Sequence, residues 1–267
     1  MLCDRAPTTV RWKLLSMAGN LARYQGDYET ARRLYEEGLS DGRSVHDLRQ
    51  VSLSCRGLGG LAFEQGDYPT ARGFAAEALS VARQSNDRYG IARSLNMIGD
   101  LARAQGQDAA ARPLYEESIA ICRQLGNNYA TANILTNLAA AEFGEGHYSA
   151  AHAHFTEGLT MLRESSGEVV GDKISVSYLL DGLAALAALR GETELAATVA
   201  GSAEHLRESI NYNVEPAERR FRDAYIASLR TMLSEEDFSR AYGQGRKLKL
   251  DDCVALALAR SDSLPGE

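Results

Sequence analysis

The chain has 267 residues, 45% hydrophobic but only 7% aromatic, and Lys+Arg 29 against Asp+Glu 36 leave a net charge of −7. That mild acidity argues against nucleic acid as a partner, because gripping phosphates takes a clustered positive face. No apolar run approaches the roughly 20 residues of a spanning helix, so no membrane role is expected.

Residues 1–9 read as a disordered lead. The start, Met1-Leu-Cys-Asp-Arg, lacks the apolar stretch of a signal peptide. Trp12 then opens a helical pattern that the chain repeats. The glycines of Gly26-Asp27-Tyr28, Gly66-Asp67-Tyr68, Gly106-Gln107-Asp108 and Gly146-His147-Tyr148 step at a constant 40 residues. A looser copy, Gly191-Glu192-Thr193, comes 45 later. Such a period indicates stacked helical hairpins, each too small to bury its apolar face alone.

Each copy keeps one internal order. A small residue precedes the turn glycine by seven positions, at Gly19, Gly59, Gly99, Ala139 and, in the fifth copy, Ala184. An alanine follows it by five, at Ala31, Ala71, Ala111, Ala151 and Ala196. Small residues let two helices cross closely. The glycine suits a left-handed helix end, and the aspartate after it can cap the next helix. The repeats span about 10–43, 45–86, 87–126, 127–166 and 172–211, within a region 10–211.

Three local features qualify that pattern. Asp41-Gly42 reads as a turn. Pro113 lies inside a helix, where it should cost a backbone hydrogen bond and bend it. The five-residue excess falls in Ser165–Asp172 and reads as a surface loop. Beyond the fifth repeat, residues 212–260 read as a cap of three shorter helices, with Phe221, Tyr225, Leu229, Phe238 and Val254 packing onto the last repeat. Residues 261–267 read as a tail.

This order of residues resembles the tetratricopeptide repeat, with Leu58-Gly59, Gly66-Asp67-Tyr68 and Ala71 in one copy and Tyr35, Tyr115 and Phe155 in its sisters. The resemblance implies an all-α, TPR-like α-solenoid of about five hairpins with a C-terminal helical cap. Two departures stand out: the period exceeds the standard 34 residues, implying helices about a turn longer, and the consensus closing proline is missing.

A second resemblance covers the C-terminal end. Ala200-Gly201-Ser202-Ala203-Glu204-His205-Leu206-Arg207, Pro216-Ala-Glu-Arg, and Glu236-Asp-Phe238 through Gly245-Arg246 to Asp251-Asp252-Cys-Val254 look like the end of bacterial LuxR-type and AfsR-like signal-transduction ATPases. In that family a repeat region receives a signal and controls an ATPase. This sequence holds no G-x-x-x-x-G-K-[ST] phosphate loop, so the resemblance implies the sensor portion of such a transcriptional regulator, or a relative of it.

Catalysis is not expected. No G-x-S-x-G motif appears, and paired acids such as Glu36-Glu37 and Glu116-Glu117 read as solvated helix faces. His147, His152 and His154 form the one histidine cluster, without a carboxylate or thiol at ligand spacing, so neither metal nor cofactor is expected. Cys3, Cys55, Cys122 and Cys253 stand far apart, and Cys55 and Cys122 read as small buried hydrophobes. Arg219-Arg220-Phe-Arg222 is screened by neighbouring acids. The whole reads as a cytoplasmic, reduced protein.

In tetratricopeptide proteins the first helix of each hairpin lines a concave groove. Carried over, that phase selects Arg56, Phe63, Arg93, Asn96, Asp100, Arg103, Asn133, Phe143 and Tyr178 as binding residues, with Asn20, Arg23, Thr136 and Asp181 beside them. Arginines in an acidic chain make this face locally positive, and asparagine can both donate to and accept from a peptide backbone. The carboxylate clamp of chaperone-binding relatives is not reproduced, since Ser16 stands where its first lysine would. The function expected is a non-catalytic protein- or peptide-binding, signal-sensing module. Its partner would be an acidic segment, or the ATPase domain of the same regulator. The alternative is a stand-alone receptor for a small signalling peptide.

Overall fold

The computed structural model describes residues 8–164, 173–210 and 216–259. The expected lead up to residue 7, the loop at 165–172 and the tail lie outside the described residues. Thirteen helices and no strand are found among the described residues. They are α1 (Thr8–Tyr24), α2 (Tyr28–Ser44), α3 (Leu48–Glu64), α4 (Tyr68–Gln84), α5 (Arg88–Ala104), α6 (Asp108–Gln124), α7 (Asn128–Glu145), α8 (Tyr148–Glu164), α9 (Lys173–Leu189), α10 (Thr193–Ser209), α11 (Pro216–Met232), α12 (Glu235–Gly245) and α13 (Leu250–Leu258). The fold is of the all-α, solenoid class, with repeated helical hairpins and a C-terminal helical cap.

The 40-residue period has a direct structural cause. Through α6, every helix is 17 residues long and every turn between helices is three. Two helices and two turns make one period. The turn glycines Gly26, Gly66, Gly106, Gly146 and Gly191 all have φ between 73° and 82°, left-handed geometry that a Cβ would strain. After them, Asp27 and Asp67 accept from the backbone N–H of Thr30 and Thr70 at 3.1 Å. Gln107 and Glu192 make no side-chain cap bond.

The turns between hairpins follow a related rule. Among the described residues, His46 and Asn86 are the non-glycine residues with positive φ, 54° and 52°, and Asp47, Asp87 and Asn127 cap the helices that follow. The expected turn at Asp41-Gly42 is therefore displaced. Gly42 lies inside α2 and is buried, where a Cβ would come within 3.1 Å of Val51 on α3. This glycine serves close packing, and the chain turns at Val45-His46-Asp47. Pro113 is exposed and α6 runs through it unbroken.

The chain divides into two compact units, Met1–Gln105 and Gly106–Glu267. In the first, Tyr35 is buried between α1 and α3 with Ala22, Ala31, Cys55, Leu58 and Ala78. In the second, one core runs from α7 through α13 and takes in Phe155, Leu159, Leu180 and Leu186 together with Tyr225, Leu229, Phe238 and Val254 of the cap. Cys55, Cys122 and Cys253 are buried free thiols, and burial pushes Cys55 up to about 12. No helix among the described residues is long and apolar enough to cross a membrane.

Candidate functional site: the first-helix faces

In the first unit the first helices are α1, α3 and α5. Arg56 projects from α3, half-buried, and its Nη1 donates to Ser52 Oγ one turn back at 2.9 Å. Among the described residues it makes no ion pair. Its charged neighbour is Arg93 of α5, which is exposed. Burial, then the like charge of Arg93, bring the Arg56 guanidinium down to about 10. The opposing charge nearby, Asp87, is committed to capping α5 through the Gly90 N–H at 3.0 Å. One turn beyond Arg93, Asn96 Nδ2 donates to Asp100 Oδ2 at 2.9 Å. Arg103 is half-buried nearer the end of α5.

Other polar groups on these helices are spent within the fold. Asn20 accepts the Tyr35 hydroxyl at 2.7 Å, and Arg23 Nε lies 3.4 Å from Glu64. Phe63 is a correction. Its ring is buried with Ala62, Ala71, Ala75 and Leu101 and stands 5.9 Å from the Tyr68 ring, so it supports the hairpin and is not open to a ligand. The helical phase alone does not distinguish a groove position from the core position beside it.

In the second unit the first helices are α7 and α9. Asn133 accepts the Ser175 hydroxyl, which joins α7 to α9. Tyr178 is half-buried on α9, and Thr136 is buried with its hydroxyl on the Ala132 carbonyl at 3.0 Å. Phe143 also needs correction. Its ring meets Phe221 of α11 edge-on at 5.1 Å and Tyr148 at 5.3 Å, so the chain's own cap occupies the surface it was expected to offer. Asp181 is buried, bonded to Arg207 and to the Tyr225 hydroxyl. Sequence spacing could not reveal this, because α11 is out of phase with the repeat.

The histidines separate. His154 Nδ1 lies 2.7 Å from the buried carboxylate of Glu142 on α7, where the sequence reading expected a solvated helix. The missed partner sits across the Gly146 turn, twelve residues away. No group of three possible metal ligands occurs among the described residues. Arg222, from the basic cluster, is screened by Asp223 at 3.0 Å and Glu204 at 3.4 Å.

Comparison with known proteins agrees with this architecture. Residues 48–124 and 90–164 match the tetratricopeptide repeat family. The match supports a tetratricopeptide-repeat protein. Among curated proteins none matches the chain. The crystal structure of BtubC (BKLC) from P. vanneervenii is similar in fold, with a TM-score of 0.61 at 19% identity over 78% of this chain and 85% of that one. Tetratricopeptide repeats are protein-interaction scaffolds, and this chain carries that scaffold over at least residues 48–164.

Proposed function

We propose that the chain is a non-catalytic interaction and signal-sensing module, part or relative of a bacterial transcriptional regulator, and that α3 and α5 of its first unit bind an acidic segment of a partner polypeptide. The observation that carries the reading is Arg56. A half-buried guanidinium beside a second arginine, with one donor on Ser52 and no carboxylate, is a cation awaiting its counter-charge. A carboxylate received there would relieve the repulsion from Arg93 and could take two parallel guanidinium bonds. Asn96 and Asp100 stand one and two turns further along α5, and Arg103 lies beyond them. An exposed ion pair contributes about 0–1 kcal/mol, whereas a hydrogen bond to a charged group contributes about 1.5–3 kcal/mol, so Arg56 should dominate.

The test is binding of acidic peptides selected on the parent protein from a displayed library. Arg56→Gln together with Arg93→Gln should weaken them at least tenfold and flatten the salt dependence, with the circular dichroism spectrum unchanged. Equal binding by the double variant would overturn the assignment.

A further inference from the structure

Three successive hairpins are stitched to the next in the same way. Arg32, Arg72 and Arg112 each stand six residues after a turn glycine, on α2, α4 and α6, and each reaches the residue just before the following turn glycine. Arg32 Nη2 donates to Gln65 Oε1 at 2.9 Å, Arg72 Nη2 donates to Gln105 Oε1 at 3.2 Å, and Arg112 Nε stands 3.2 Å from Glu145 Oε2. Every stitch sets a cation on the second helix against an oxygen at the end of the next first helix.

At the fourth place both partners are bases. His152 of α8 stands six residues after Gly146, and Arg190, just past α9, stands one before Gly191. The stitch has lost its oxygen. Arg190 is nonetheless drawn inside, its side chain only 7% exposed, and its Nε and Nη1 are enclosed without a hydrogen-bond partner. Its charge reaches His152, where burial first and then Arg190 lower the imidazole's pKa.

Glu192 does not replace the missing acceptor. Its Oε2 lies 3.7 Å from Arg190 Nε, beyond hydrogen-bond reach, and is itself enclosed without a partner. Buried polar groups left without partners are rare in native proteins and mark a missing water, ion or ligand.

We propose that His152 and Arg190 form a carboxylate site, in which the bound group supplies the oxygen that Gln65, Gln105 and Glu145 supply at the other three places. Glu192 sits on the Nε side and leaves open the end of the guanidinium fork, Nη1 with Nη2, which matches the two oxygens of a planar carboxylate. Nη2 and the His152 ring nitrogens are not among the enclosed atoms, so entry is from the surface. With Glu192 so close, one negative charge suits the site better than the two of a phosphate. The site is distinct from the Arg56–Arg93 pair and does not depend on it.

The probe is sodium acetate, titrated into the full chain at constant pH and ionic strength with chloride as the balancing anion. The Arg190 Nε–H and His152 ring resonances should shift saturably with acetate. Arg190→Gln, which installs the oxygen-bearing residue of the sister stitches, should abolish the shift at His152. Arg190→Lys keeps the charge without the fork and should weaken binding at least tenfold. Arg56→Gln with Arg93→Gln should leave the shift intact, so this site and the first unit's arginines fail separately. Tighter binding of N-acetyl-glycylglycine than of acetate would assign the carboxylate to a chain end, and equal or weaker binding to a free acid; either supports the site. No saturable shift, which would leave Arg190 to water, overturns the proposal. So does equal binding by Arg190→Gln or Arg190→Lys, or saturation by inorganic phosphate without saturation by acetate.

Discussion

The Tyr225 hydroxyl donates to Asp181 Oδ1 at 2.5 Å, tying α11 of the cap to the first helix of the fifth hairpin. The other oxygen of Asp181 takes Arg207 Nη1 of α10 at the same distance. Arg207 in turn holds Glu204, which also meets Arg222 of α11 at 3.4 Å. Burial pushes the Asp181 carboxyl up, opposed by Arg207 and the Tyr225 hydroxyl. The guanidinium is thus what allows a charge to sit there.

Arg207→Met should consequently destabilise the chain by about 3–5 kcal/mol, the usual cost of stranding a buried charge. Tyr225→Phe removes one donor and should cost about 1–3 kcal/mol. Urea unfolding of both variants checks the order. If Arg207→Met proves the milder change, Asp181 is protonated in the fold and the network is neutral.

The contrast between Gly66 and Phe143 shows how much the sequence discloses. Gly66 could be read because its role is local: its φ of 76° and the Asp67 cap follow from residues within one turn. The hairpins were legible for the same reason, multiplied by repetition. Phe143 and Asp181 were placed on the right helices but misread as free, because their partners Phe221 and Tyr225 come from a helix about 80 and 44 residues later that obeys no repeat. Phe63 failed differently, since a groove position and a core position can be neighbours on one helix. Arg56 and Arg93 remain the part of the expected site whose charges the fold does not absorb.

His154 provides a test by pH. Its bond to Glu142 raises the imidazole's pKa from the usual 6.5, and Glu157 adds to this while burial and Arg123 oppose it. A raised folded value means the charged pair stabilises fully below about pH 6.5 and loses that contribution as pH rises through the folded value. The destabilisation by His154→Gln should therefore be larger at pH 5.5 than at pH 8.5. His152, lowered by burial and then by Arg190, has the opposite sign. Its charging in acid opposes the fold, so His152→Gln should flatten the acid limb. Unfolding midpoints of both variants across this range decide it, and a pH-independent effect of His154→Gln would show that only the neutral hydrogen bond matters.

Two glycines of α12, two residues apart, make the sharpest test of the cap. A Cβ on Gly245 would lie 1.8 Å from the Thr198 carbonyl oxygen of α10, and one on Gly201 of α10 would lie 2.1 Å from the Tyr242 carbonyl oxygen. The two backbones thus touch at a crossing where only hydrogen fits between them. The opposing atoms are backbone and cannot swing aside. Gly243, in contrast, has nothing within 4 Å of the same hypothetical atom. Gly243→Ala should therefore stabilise the chain by about 0.5–1 kcal/mol through helix propensity alone. Gly245→Ala carries the same propensity gain but must separate α12 from α10, and should cost at least the about 1–3 kcal/mol typical of overpacking. The measurement is the difference in unfolding free energy between the two alanine variants. Opposite signs are expected, and matching gains would mean that α12 does not sit on α10 at this crossing.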